Sequence, residues 1–189
     1  MINGNNNNND LIMQISNEVI RCTSCELCHT RKNAVPGEGS ASARIMFVGE
    51  APGRFEDDQG KPFVGPAGKI LEAALLNANI SRSQVFITNI VKCRPPGNRR
   101  PKRDEIIKCN DYLNKQISVI NPKIVCILGA TAYSSLLGGK AIIANRGKVL
   151  NINGRNYFLT IHPAATLYRR SLLRLLEEDI LKLSKLILE

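Results

Sequence analysis

The sequence predicts a single α/β domain built around a parallel sheet, and three observations carry that reading. Short apolar runs rich in β-branched or aromatic residues alternate with segments of helical periodicity. The 189 residues are enough to bury a hydrophobic core without disulfide staples. With 43% hydrophobic and 22% charged residues, the composition is ordinary for a globular protein and excludes disorder over the whole chain.

The elements follow in order. Residues Met1–Asp10 (MINGNNNNND) are of low complexity and read as a disordered tail, which leaves residues 11–189 as the domain. Leu11–Arg21 reads as a short helix leading into the first cysteines. The runs Ile45–Val48, Val85–Val91, Ile124–Leu128 and Tyr157–Ile161 suit buried parallel strands. Gly65–Asn79 carries Ile70, Leu71, Ala74 and Leu75 on one helical face, with Pro66 near its first turn. Asp104–Ile120 follows Pro101 and opens on Asp104 and Glu105, where the helix dipole favours negative charge. Ala130–Leu137 stops at Gly138–Gly139. Leu172–Leu188 is amphipathic and leucine-rich, as a core-packing helix is. No apolar stretch approaches the ~18 residues of a membrane span. The Asn-rich opening lacks the basic start and apolar middle of a secretory signal. A soluble, intracellular protein is expected.

Function first shows at the strand ends. The predicted strands run into Gly49-Glu50-Ala51-Pro52-Gly53, Asn89, Gly129 and His162-Pro163-Ala164. Ligands of open α/β sheets bind just beyond the carboxyl ends of the strands. Glu50, Asn89 and His162 are therefore expected to converge on one cleft. Any one of them alone could be a helix cap or a turn residue; three strand ends together favour a site.

Charge and cysteines add two constraints. Lysine and arginine exceed aspartate and glutamate by 26 to 16, a net charge of +10 that suits a polyanionic partner such as nucleic acid. Six cysteines are too few for a disulfide scaffold, and in a reducing compartment clustered thiols are metal ligands or catalysts more often than cross-links. Cys22, Cys25 and Cys28 follow one another at two-residue gaps, Cys93 lies in VKCRPPGNRRP, and Cys109 lies in the next helix. Cys126, inside IVCILG, reads as a buried, inert thiol. A C-x-x-C pair joined by two distant thiolates suits a tetrahedral zinc ion or a four-iron cluster, and thiolate ligands alone do not choose between them. By spacing, Cys28 could stand in for Cys22 or Cys25. Either centre would tie the N-terminal arm to the middle of the chain, a structural role.

Three blocks are specific enough to name a family. GEAPGRFEDDQGKPFVGPAGK (Gly49–Lys69), ITNIVKCRPPGNRRP (Ile87–Pro101) and HPAATL (His162–Leu167), together with the cysteines, closely resemble family 4 uracil-DNA glycosylases. These are the iron–sulfur type of thermophilic bacteria and archaea, and the resemblance runs from Cys22 to about Arg170 in the family's order and spacing. It implies a central four-stranded parallel sheet flanked by helices in a three-layer sandwich. It implies a monofunctional hydrolase that flips uracil out of DNA and cuts its N-glycosidic bond, leaving an abasic site at the start of base excision repair. A structural 4Fe–4S cluster on Cys22, Cys25, Cys93 and Cys109 is implied as well, with no metal needed for the chemistry.

The resemblance also assigns roles. Phe63 would stack on the flipped base, and the Asn89 amide would pair with its Watson–Crick edge. Cytosine presents the reverse donor and acceptor pattern there and would be left mismatched. Glu56 would lie near uracil C5 and exclude the methyl group of thymine. Backbone amides around Glu50 and Ala51 would line the opposite edge of the base. His162 would donate a hydrogen bond to O2 as charge develops there, and Glu50 would orient or activate the attacking water. Arg94, Arg99 and Arg100 fall in a basic crowd with Lys92, Lys102 and Arg103 that would meet the DNA. Arg169 and Arg170 would follow at the minor groove, and Leu167 would wedge into the space left by the base, a role for which Tyr168 is a second candidate. The partner is then DNA containing uracil, double- or single-stranded, bound by a monomer in the cytoplasm at the nucleoid, with no membrane involved.

Two other readings compete. A non-enzymatic zinc module would explain the cysteines and the charge but not the polar residues at the strand ends. A nucleotide-binding enzyme fails because GPAGKI lacks the Ser or Thr and the glycine spacing of a phosphate loop.

Overall fold

The computed structural model describes residues 3–188 and places helices on both faces of one sheet. In chain order the helices are α1 (Asn3–Ile20), α2 (Leu27–Thr30), α3 (Arg54–Gln59), α4 (Pro66–Asn77), α5 (Arg103–Ile120), α6 (Ala130–Leu137), α7 (Ile142–Asn145), α8 (Pro163–Tyr168) and α9 (Ser171–Leu188). The strands are β1 (Glu38–Gly39), β2 (Ile45–Gly49), β3 (Phe86–Asn89), β4 (Ile124–Leu128), β5 (Val149–Ile152) and β6 (Arg155–Thr160).

The strands are ordered β1-β3-β2-β4-β6-β5. The inner four, β3-β2-β4-β6, run parallel, whereas β1 and β5 pair antiparallel with β3 and β6. The four-stranded parallel sheet expected from the sequence is therefore corrected to a mixed sheet of six. The inner strands are the apolar runs, because helices cover both their faces. The two edge strands escape that signal for physical reasons. β1 has only two residues, and most of β5 is solvent-exposed, so neither forms a buried run. The mark of the β5–β6 hairpin is Asn153-Gly154, both left-handed at φ 52° and 79°, which is what a two-residue hairpin turn requires.

The helical layers follow from the two faces of each strand. Ile45, Phe47, Ile87, Cys126 and Phe158 pack against Leu71 and Leu75 of α4 and Leu176, Ile180 and Leu183 of α9. Met46, Val48, Phe86, Val125 and Ile127 pack on the other face against Leu113 and Ile117 of α5 and Ala132 and Tyr133 of α6. A third apolar cluster joins Ile15 and Val19 of α1 and Leu27 of α2 to Val91, Cys93 and Cys109. The arm helix docks on α5 there, and helix propagates readily from an anchored segment. α1 accordingly runs back to Asn3, so most of the segment read as a disordered tail is helical; its first two residues lie outside the described ones. Among the described residues, no helix is long and apolar enough to cross a membrane.

Parallel strands place their carboxyl ends on one side. Gly49 and Asn89 are register partners at the ends of β2 and β3, and Leu128 and Thr160 at the ends of β4 and β6. The loops that leave these ends build the site.

Candidate active site and thiol cluster

A cleft of about 300 Å³ opens at the carboxyl edge of the sheet. Glu50, Ala51, Glu56, Phe63, Asn89 and His162 all line it, joined by Arg99 and Tyr168. The six base-site residues expected from the sequence thus share one cavity, although they come from three separate blocks of the chain. Pro52, Gly53, Ala67, Pro95, Asn98 and Ala164 complete the lining.

Asn89 is 1% exposed, and its Oδ1 is buried without a hydrogen-bond partner. An unmade hydrogen bond of this kind costs about 1–3 kcal/mol. It persists here because the strand end fixes the side chain. Gly49 makes the arrangement possible, since a Cβ there would lie 2.5 Å from Asn89 Oδ1 and 2.7 Å from the Phe63 ring.

Phe63 is held in a left-handed conformation at φ 51°, unusual for an aromatic residue and worth about 1–3 kcal/mol of strain. Arg82 braces it by donating to the Phe63 and Pro62 carbonyls at 3.3 and 2.5 Å. From α4, Gly68 lies so close under the Phe63 carbonyl that any Cβ would overlap it. The ring consequently faces His162, with centroids 5.6 Å apart and planes inclined by 33°.

His162 caps α8. Its Nδ1 accepts the Ala164 N–H at 3.1 Å, and Pro163 occupies the first helical position. With Nδ1 an acceptor, the ring proton sits on Nε2. Burial lowers the imidazole pKa to about 4, so the ring is neutral near neutral pH. Gly129, at φ +89°, leaves the space that the His162 Cβ needs; a Cβ there would lie 2.7 Å away.

Glu56 lines the cleft, but its carboxylate is already engaged. It accepts from the Gly53, Val64 and Gly65 amides at 3.1, 3.0 and 2.8 Å. Glu56 thereby clamps the start of α3 to the loop that carries Phe63. Glu56→Ala leaves three inward N–H groups without an acceptor, and we expect a loss of about 2–4 kcal/mol in unfolding free energy. Thermal unfolding checks this; an unchanged Tm would mean that the clamp contributes nothing.

The basic residues divide. Arg99 lines the cleft, yet its guanidinium is paired with Glu105 in α5 at 2.9 and 2.6 Å. Glu105 is buried, and Arg99 together with the Lys102 N–H holds its carboxyl below the usual range. Arg94 is half-buried and donates to Asn98 Oδ1 at 2.7 Å. Arg100, Leu167, Arg169 and Arg170 are exposed and lie outside the cleft lining. Tyr168, at 89% exposure, stands out from the end of α8 at the rim. Lys92, expected in the basic surface, is instead 1% exposed. Its ammonium meets Thr88 Oγ1, the Asn89 carbonyl and Gln116 Oε1 at 2.5, 2.9 and 2.7 Å.

A second, small cavity lies between α1, α2 and α5. Cys22, Cys25, Cys28, Cys93 and Cys109 all line it, with Val19, Leu27 and Val91 forming its apolar walls. Donors already point at the sulfurs. Arg31 reaches Cys93 Sγ at 3.0 Å, the Lys92 N–H reaches Cys109 Sγ at 3.3 Å, and Ser24 N–H reaches Cys22 Sγ at 3.5 Å. Burial pushes the Cys93 thiol up to about 11 despite Arg31, and burial raises Cys109 as well. Such thiols yield their protons to a metal centre, whose positive charge would add to that of Arg31 beside the sulfurs. The donor set therefore fits a thiolate-bound group. Among the described residues no three side chains already stand together at the separation of a single ion. Cys126 is fully buried in β4, away from this cavity.

Sequence reasoning named Gly49 and Gly129 only as strand-end residues, and it did not single out Gly68, Arg31 or Arg82. Their importance lies in close approach and bracing, and only the GPAGK block carried a visible trace of it.

Comparison with known proteins places this geometry. The family model for the uracil DNA glycosylase superfamily matches residues 36–183. The chain is 46% identical over 191 residues to the type-4 uracil-DNA glycosylase of Sulfurisphaera tokodaii, covering 94% of this chain and 85% of that protein. It is 48% identical over 182 residues to the type-4 enzyme of Saccharolobus solfataricus, covering 90% and 84%. A type-4 uracil-DNA glycosylase of Thermotoga maritima matches at 44% identity over 178 residues, covering 92% and 93%. With the family model matched over residues 36–183 and type-4 enzymes matched at 44–48% identity over nearly the whole chain, the protein belongs to the type-4 branch of the uracil DNA glycosylase superfamily.

Proposed function

We propose that the cleft removes uracil from DNA by hydrolysing the N-glycosidic bond of a flipped nucleotide, leaving an abasic site for base excision repair. The observation that carries this reading is the orphaned Asn89 Oδ1. Uracil N3–H is a donor that satisfies it, and the Asn89 amide N–H in turn reaches O4. Cytosine offers an acceptor at N3 and a donor at C4, so both contacts fail. Phe63 supplies the stacking face beside it. Glu56 acts by holding the Phe63 loop in place, and the loop it fixes is what crowds C5.

Cleavage leaves negative charge on the base, largely at O2, and positive character on the sugar. The His162 Nε2–H is the donor for that oxygen, and as a neutral group it needs no deprotonated partner. Glu50 faces the cleft and orients the attacking water. Leu167 and Tyr168 are exposed and would fill the duplex where the base has left, and the exposed Arg100, Arg169 and Arg170 would meet phosphates. Arg94 and Arg99 contribute by ordering the Pro95–Arg100 loop at the cleft rim.

The thiol cavity fits a 4Fe–4S cluster on Cys22, Cys25, Cys93 and Cys109, with a structural role in fixing the arm to the sheet. We expect aerobically purified protein to be brown with bound iron. Cys22→Ser and Cys93→Ser should lose the colour, while Cys126→Ser keeps it; colour surviving in either ligand variant contradicts the assignment.

The pH dependence follows from His162. Its folded pKa of about 4 lies below the ordinary 6.5, so the unfolded chain takes up the proton first. Its contribution to stability is full above 6.5 and is lost as the pH falls from there through about 4. The excision rate should show no His162 titration from roughly pH 5 upward. A drop centred on 6.5 would contradict a buried neutral imidazole.

Incubation with uracil-containing DNA, followed by chromatography of the small molecules, tests the reaction. Free uracil is the expected product; no released base, or a released nucleotide, would overturn the assignment.

A further inference from the structure

The residues between the cleft and the thiols form one continuous bridge, and Lys92 sits at its middle. Its backbone N–H donates to Cys109 Sγ at 3.3 Å, and Cys93 is its neighbour in the chain. Its side chain turns back along β3, where the ammonium donates to Thr88 Oγ1, the Asn89 carbonyl and Gln116 Oε1 at 2.5, 2.9 and 2.7 Å. Three protons thus meet three acceptors, none of them charged. Thr88 and Gln116 are themselves fully buried and both donate to the Pro36 carbonyl, at 3.0 and 2.8 Å. The Lys92 carbonyl accepts the Val35 N–H at 2.7 Å. The same segment stays zipped to the loop that bears Glu50, through Ile90 N–H to the Gly49 carbonyl at 3.0 Å and Val91 N–H to the Glu50 carbonyl at 3.3 Å.

A buried ammonium facing neutral acceptors is costly, and an apolar side chain here would exchange that cost for three buried acceptors that lose their shared donor. What the ammonium adds is direction, since it fixes the peptide of Asn89, the residue whose side-chain oxygen waits unpaired in the cleft. We propose that Lys92 is a positioning residue that couples the thiol centre to base reading, so that occupancy of the thiol centre sets the aim of the Asn89 amide. The inference rests on the glycosylase reading above and extends it by giving the cluster a share in recognition.

The test measures binding, which separates reading from chemistry. Holoprotein is titrated with a duplex carrying one 2′-fluoro-2′-deoxyuridine, whose glycosidic bond resists cleavage, and with the same duplex carrying thymidine. The ratio of the two dissociation constants reports base reading, and visible absorbance reports the cluster. In Lys92→Met with its colour intact, the ratio should fall by about tenfold, the scale of one lost charge-assisted hydrogen bond. Affinity for the thymidine duplex should stay within about twofold, as expected for a site that does not touch the DNA backbone. Stripping iron from the wild type with a chelator should lower the ratio similarly, and stripping it from Lys92→Met should add little. An unchanged ratio in coloured Lys92→Met overturns the proposal, as does an equal loss on both duplexes, which marks a merely structural lysine. If Lys92→Met does not fold, Thr88→Val removes one partner of the ammonium at constant shape, and the ratio must still fall. A wild-type protein with no preference for the uridine analogue would overturn the glycosylase reading itself, and this inference with it.

Discussion

His162→Ala lowers kcat for uracil excision by about a hundred- to a thousandfold, the usual loss when a donor aimed at a developing oxyanion is removed. The expectation rests on three features of the site. Nδ1 is committed to the Ala164 N–H, which leaves the Nε2 proton for the cleft. Burial keeps the ring neutral down to about pH 4. Phe63 stands 5.6 Å away, so a base stacked on that ring lies beside the imidazole. The charge on O2 grows only as the bond breaks, so the interaction belongs to the transition state and KM should move by no more than about threefold. Single-turnover rates on a uracil-containing duplex check the loss. Equal rates would remove His162 from the mechanism and leave the cleft otherwise intact.

Asn89→Leu has the second large effect, and it falls on recognition. The exchange keeps the branched heavy-atom skeleton but removes both polar contacts to the base edge, at about 1–2 kcal/mol each. We expect kcat/KM for uracil to fall by about a hundred- to a thousandfold. Stability should move the other way. The wild-type Oδ1 is buried and unpaired, so replacing it with an apolar group relieves that cost, and Tm should hold or rise. A variant that loses both activity and Tm would indicate that Asn89 is chiefly structural. The opposed signs would show that the site accepts instability in exchange for specificity.

These two effects also show which parts of the protein could be read in advance. β4 was legible to the residue, because Ile124–Leu128 is covered on both faces and every position had to be apolar. β5 was not, because an exposed edge strand needs no apolar run. The convergence of Glu50, Asn89 and His162 followed from topology alone, since parallel strands end on one side of the sheet. The charges were harder. Lys92 and Arg94 are two residues apart, yet one is buried against β3 and the other is half-exposed beside Asn98. Sequence proximity carries no information about which way a side chain turns at a strand end. Arg99 and Glu56 line the cleft as expected, but the groups they bind within the protein were not legible in the sequence. Their partners, Glu105 for the first and the Gly53, Val64 and Gly65 amides for the second, are set by loop closure. Each makes contacts within the protein that order the backbone around the cleft.

One cleft is expected both to read the edge of uracil and to break its bond to the sugar. The direct test is a set of matched oligonucleotide duplexes carrying U, T or C at a single position, each incubated with holoprotein and then treated with alkali. Strand scission is expected at the U position, with T and C duplexes intact, and it should be lost in His162→Ala. No scission at U with the wild-type holoprotein, or equal scission at U and C, would contradict it.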